Sequence, residues 1–120
     1  GFTPDPHRTE GTSGGSVQAL QVNSGCTGHI STQPDHLFVA TSDFANLRIL
    51  VSSSADTTLV VRTPDGQFRC DDDTNATNPE IRGAFPAGTY RIWVGSYQSG
   101  VNSSYKLGFT ELPSTTVNSL

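Results

Sequence analysis

The sequence predicts an all-β fold, an antiparallel jelly-roll-like β-sandwich of about eight strands. Three observations lead there. Apolar residues recur with period two from Val17 onward. No stretch of about a dozen residues carries the i, i+3, i+4 spacing of an amphipathic helix, so no substantial helix is expected. Turn-forming residues separate the alternating runs at the roughly 8–12-residue spacing of sandwiches and barrels.

The elements follow in order. Residues 1–16 hold two prolines, four glycines and one aromatic, Phe2, and read as an extended arm. Such a segment is either a flexible linker or an arm that docks on a neighbouring subunit, anchored by Phe2 and adding a strand to an open sheet edge. The domain proper spans 17–112 and begins with Ser16–Val22. His36–Thr41 and Leu47–Ser52 are strands, the second with Leu47, Ile49 and Val51 on one face, and Ser42, Asp43 and Asn46 turn the chain between them. Thr57–Arg62 is rich in β-branched residues. Pro64-Asp65-Gly66 then makes a tight turn, because Pro presets φ and Gly accepts a positive one. Gln67–Cys70 returns as the hairpin partner. After the polar loop Asp71–Pro79 come Glu80–Phe85, the turn Pro86-Ala87-Gly88, and Thr89–Gly95 with Tyr90, Ile92 and Val94 on one face and Trp93 on the other. Ser104–Thr110 closes the domain with Tyr105, Leu107 and Phe109 aligned, and residues 113–120 read as a tail.

Composition narrows the function. A chain of 120 residues supports one core. The net charge is −4, and the seven basic residues are scattered, so nucleic acid is not expected as a partner. No apolar run approaches the ~20 residues of a membrane span. No leader precedes Gly1, which fits either a processed mature chain or a fragment of a longer one. Cys26 and Cys70 lie too far apart for a CxxC motif. They are either two reduced buried thiols or, as the Ser/Thr/Asn-rich, low-Lys composition favours, an extracellular disulfide. Asn75-Ala76-Thr77 and Asn102-Ser103-Ser104 are N-glycosylation sequons, so the chain is a candidate glycoprotein.

One cluster points to chemistry. Asp71, Asp72 and Asp73 follow Cys70 directly, and like charges so close call for a neutralising partner. Calcium takes carboxylate, amide and backbone oxygens, and this loop offers all three, with Thr74, Asn75, Asn78 and Glu80 downstream and Asp56 at the start of a neighbouring strand. The bland alternative is a solvated turn whose side chains cap the backbone. The loop lacks the alternating acidic spacing of an EF-hand. His7, His29 and His36 show no zinc spacing. No nucleophile elbow accompanies the many serines, so no catalysis is expected. Tyr97, in a turn, is the better candidate for an exposed sugar platform, and Trp93 is expected to be buried.

Several short runs carry a family resemblance. Asp56-Thr57-Thr58-Leu59, Pro64-Asp65-Gly66, Asp72-Asp73, Pro86-Ala87-Gly88-Thr89-Tyr90 and Tyr105-Lys106-Leu107 resemble, in order and spacing, the bacterial pre-peptidase C-terminal domain over roughly Leu37–Phe109. Cys26-Thr27-Gly28, Pro34-Asp35, Asn78-Pro79 and Trp93-Val94-Gly95-Ser96-Tyr97 are similar to C-terminal segments of secreted bacterial trypsin-like peptidases. The resemblance implies a jelly-roll-like sandwich, export, a non-catalytic accessory role and, in some members, calcium bound at the paired acids that match Asp72 and Asp73. Asp71 is an additional acid, and the cysteine pair is absent from many members. The expected function is a non-catalytic, extracellular, calcium-binding structural module that self-associates head to tail into a filament through its arm. The alternative is a carbohydrate- or protein-binding accessory module of a secreted hydrolase.

Overall fold

A computed structural model describes residues 5–72, 74 and 77–120. Among the described residues, ten strands form two antiparallel sheets. The first sheet is built from β1 (His7–Thr12), β5 (Phe44–Ser52), β8 (Glu80–Phe85) and β10 (Ser104–Thr110), in the order β1-β10-β5-β8. The second contains β2 (Val17–Gln18), β3 (His29–Ile30), β4 (His36–Ala40), β6 (Thr57–Arg62), β7 (Phe68–Asp71) and β9 (Gly88–Ser96). Its order is β2-β3-β9-β6-β7, and β4 also pairs with β9. Residue Ile92 faces Val61 on one side and His36 on the other, while Ser96 faces Thr57 and His29. Strands β3 and β4 therefore share one edge of β9, end to end. The gap between them is closed by Asp35, whose backbone N–H donates to the Ile92 carbonyl and whose carboxylate accepts from the Val94 N–H.

The alternation read from the sequence sorts side chains onto the two faces. Leu47, Ile49 and Val51, Leu59 and Val61, Tyr90, Ile92 and Val94, and Tyr105, Leu107 and Phe109 all enter the core between the sheets. Burying each such side chain stabilises the fold by roughly 2 kcal/mol. A second, smaller core lies on the outer face of the second sheet. Val60 and Trp93 project there and are covered by Ala19, Cys26 and Ile30, with Val17, Phe68 and Cys70 packed at its margin. The cover is the segment 17–30, pinned by a Cys26–Cys70 disulfide with Cα atoms 5.4 Å apart. Trp93 is thus buried, as expected of a lone tryptophan.

Several elements differ from the sequence reading, each for a local reason. Residues 7–12, read as part of an extended arm, form edge strand β1 in register with β10. Their side chains are mostly exposed, so backbone pairing is their main tie and no apolar alternation marks them. The segment 16–22 contains only a two-residue strand, followed by one helical turn, α1 (Ala19–Val22), which has no side-chain cap. The turn expected at 42–46 is shorter, because β5 starts at Phe44 and a register shift between Phe44 and Leu47 absorbs Asn46. Gly66 has φ +85°, as the Pro-Asp-Gly turn requires. The chain crosses between sheets at Gly14 and Gly15, where φ at Gly14 is +100° and a Cβ on Gly15 would collide with the Ile30 backbone. The tail packs on the first sheet. The Arg48 guanidinium donates to the Leu112 and Thr115 carbonyls, and Leu120 lies over Gly108. Among the described residues, no helix is long and apolar enough to cross a membrane.

Candidate functional site

The acidic residues sit at one end of the second sheet. The β6–β7 register ends with Leu59 opposite Asp71, and Asp56 precedes β6 at that same end. Three loops meet there. The Tyr97 N–H donates to the Asp56 carbonyl at 3.1 Å, and the Ser53 N–H donates to Asn78 Oδ1 at 3.0 Å. Asp56, Asp71, Asp72 and Asn78 are all half-buried. Cys70 lies one residue before Asp71, so the disulfide anchors the root of the loop.

The roles within this group differ. Asp71 Oδ2 accepts from the Thr74 hydroxyl at 2.6 Å and from the Glu80 N–H at 2.8 Å, bracing the loop at both ends. Asn78 spends its side-chain oxygen on Ser53. Asp56 and Asp72 arrive from adjacent strands at the same end. Asp73 and the sequon residue Asn75 lie outside the described residues, as does Phe2. Among the described residues, no group of three or more His, Cys, Asp or Glu side chains is gathered to hold a metal. Glu80, counted above among the oxygen donors of the loop, turns to the first sheet instead. Its buried carboxylate lies 3.1 Å from Arg48 Nε and 2.7 Å from Arg82 Nη2. Its strand position predicts this, since Leu50, its partner on β5, adjoins Arg48, and Arg82 follows two residues on.

The remaining candidates are separate. Asn102 is exposed in the loop before β10. Tyr97 is 47% exposed, near Leu20 and His29. His29 Nδ1 lies 3.4 Å from the Ser96 carbonyl. His36 Nε2 lies 2.7 Å from the Tyr105 hydroxyl, joining β4 of one sheet to β10 of the other. Burial holds the His36 pKa below its usual value, with Asp35 partly opposing, and burial pushes both the Asp35 carboxyl and the Tyr105 phenol up. The Asp35 carboxylate accepts from the Ser31 hydroxyl and the Val94 N–H, so it serves the sheet. Sequence reading overlooked this cluster because its members lie far apart in the chain.

Comparison with known proteins places the fold. No protein-family model matches the chain. An uncharacterised protein of Synechococcus elongatus is 32% identical over 87 residues, which cover 69% of this chain and 63% of that protein. The match thus spans less than two thirds of the relative's length. The pre-peptidase C-terminal domain of a collagenase from Bacillus anthracis superposes with a TM-score of 0.59 at 16% identity, covering 88% of this chain and 89% of that domain. Two antiparallel sheets packed as a sandwich, with this neighbour, show that the chain has the fold of the pre-peptidase C-terminal domain.

Proposed function

We propose that the protein is a non-catalytic, exported module whose acidic end binds calcium and whose N-terminal strand supports self-association. The β6–β7 register supports the calcium reading, since Asp71 pairs with Leu59, three residues after Asp56. Calcium accepts six to eight oxygens, including carbonyls, so two or three carboxylates with loop carbonyls form a suitable donor set. Asp56 and Asp72 are the central ligands, with Asp73 as the third acid. Asp71 and Asn78 hold the loop around them. The ion would tie together the loops that precede β6 and follow β7. The disulfide supports export, since cytosolic thiols are generally kept reduced.

Melting with calcium and with a chelator tests this reading. Wild type is expected to melt higher in calcium, and Asp56→Asn with Asp72→Asn to remove the difference while leaving the chelator value near wild type. Identical melting of wild type in both conditions removes the calcium site.

Self-association rests on β1. It is an edge strand, mostly exposed, and among the described residues it pairs only with β10. A strand held mainly by backbone pairing can pair with β10 of another copy, and a head-to-tail exchange of that kind does not close. Deleting residues 1–12 is expected to abolish assemblies seen by light scattering and electron microscopy. An unchanged size distribution ends the filament reading without touching the calcium one.

A further inference from the structure

Two pairs of arginines face each other across neighbouring strands. Arg48 pairs with Arg82 between β5 and β8, on the outer face of the first sheet. Arg62 pairs with Arg91 between β6 and β9, on the outer face of the second. Directly opposed like charges destabilise a sheet unless something neutralises them. The first pair has its neutraliser, the buried Glu80 carboxylate in contact with both guanidiniums. The second pair has none among the described residues.

The other basic side chains are also engaged. Arg8 donates to the Ser119 carbonyl, Arg69 to the Ala84 and Arg82 carbonyls, and Lys106 to the Leu120 carbonyl. Of the seven basic side chains, those of Arg62 and Arg91 are left with no hydrogen bond or ion pair among the described residues. Both are exposed. The Arg62 guanidinium lies over the Phe68 ring, 5.8 Å from its centroid.

The surroundings give the site a shape. Register places Leu37, Arg91, Arg62 and Phe68 in one row across β4, β9, β6 and β7. Leu37 and Val39 are each 63% exposed, although their neighbours in sequence, Phe38 and Ala40, pack into the core. The row is therefore a flat strip with two guanidiniums in the middle and apolar groups at both ends.

We propose that this strip binds an anionic polysaccharide, its carboxylate or sulfate groups on Arg62 and Arg91 and its ring faces on Leu37 and Phe68. Guanidiniums pair bidentately with planar or tetrahedral oxyanions, which an ammonium does not. Both arginines are exposed, so a single free ion would stay largely hydrated, whereas a polymer engages both at once and gains from multivalency. A peptide strand added at the β4 edge would lie three strands away from Arg62, with β4 and β9 between them, so the ligand crosses the face rather than extending the sheet. Nucleic acid fits poorly, since two arginines on a chain of net charge −4 cannot offset a phosphate backbone. The site lies at the opposite end of β6 from Asp56 and does not depend on calcium there.

The test is retention of the full chain on immobilised heparin, polygalacturonate and neutral dextran at pH 7 and low salt. An acidic protein should not adhere to acidic matrices unless a local patch holds it. Wild type is expected to bind heparin or polygalacturonate, to elute with salt, and to ignore dextran. Retention on one and not the other identifies sulfate or carboxylate as the recognised group. Arg62→Ala with Arg91→Ala should weaken binding at least tenfold with unchanged melting, and Arg62→Lys with Arg91→Lys should restore part of it. Arg8→Ala with Lys106→Ala removes the same charge from the other sheet and should bind like wild type. The proposal is overturned if neither anionic matrix retains wild type, if dextran retains it equally, or if the two double-alanine variants lose binding alike.

Discussion

The two cores use opposite faces of the same strands but are closed by different means. Strands β6 and β9 give Leu59, Val61, Ile92 and Val94 to the space between the sheets, and Val60 and Trp93 to the outer layer. The inner core gathers fifteen buried residues, the outer one five, which decides how each is held. Fifteen interdigitating side chains suffice to order two sheets. Five do not order a cover made of two-residue strands and a single helical turn, and small apolar clusters need a covalent staple. Cys26 and Cys70 provide it. The disulfide is thus needed where the apolar area is smallest.

Perturbing each core in turn tests that contrast. Phe85 is fully buried between the sheets, and Phe85→Ala should cost about 4 kcal/mol of unfolding free energy in urea. Both cores should then melt together, followed through Trp93 emission for the outer core and near-ultraviolet dichroism of Tyr90 and Tyr105 for the inner one. Trp93 emission that persists beyond the tyrosine transition would make the outer layer the more stable unit. Cys26→Ser with Cys70→Ser should cost about 3 kcal/mol. Its signature should be early loss of amide-exchange protection in residues 17–30, with β5 and β10 still protected. Simultaneous loss throughout would show that the two cores are one cooperative unit.

Smaller effects test the polar ties. Glu80→Gln keeps the volume but leaves Arg48 and Arg82 facing each other, at a cost of about 2 kcal/mol by urea denaturation. A neutral result would mean that the two guanidiniums tolerate one another without the carboxylate. The least effect is a pH dependence. The His36 pKa in the folded protein lies below its usual 6.5, so the unfolded chain binds the proton more readily. Stability from this source is complete above pH 6.5 and is lost as pH falls through the folded-state pKa. Asp35 acts in the opposite sense at lower pH, since its folded pKa is raised above 3.8 and its contribution is present only below that range. The melting temperature should therefore fall between pH 7 and pH 5, and fall less in His36→Gln.

What the sequence reveals follows from where the information lies. The long strands β5, β6, β9 and β10 are legible because one face of each is apolar over six or more residues. Strand β1 is not, because its stability comes from a partner about a hundred residues away, and backbone pairing leaves no trace in side-chain pattern. The same limit governs the sites. Clustered acids such as Asp71–Asp73 announce themselves by adjacency. The Arg62–Arg91 pair is assembled by register from two strands, and neither residue is unusual where it stands in the chain.

The pairing of β1 with β10 also bears on how the protein is made. His7 meets Phe109 and Thr12 meets Ser104, so β1 waits for β10. Arg8 reaches further still, to the Ser119 carbonyl. Contacts of such sequence separation form slowly, because loop closure must precede them. Until β10 has emerged, the first sheet lacks the strand that joins β1 to β5. Completion of this sheet therefore waits on β10, and until it docks β1 and β5 each keep an unpaired edge.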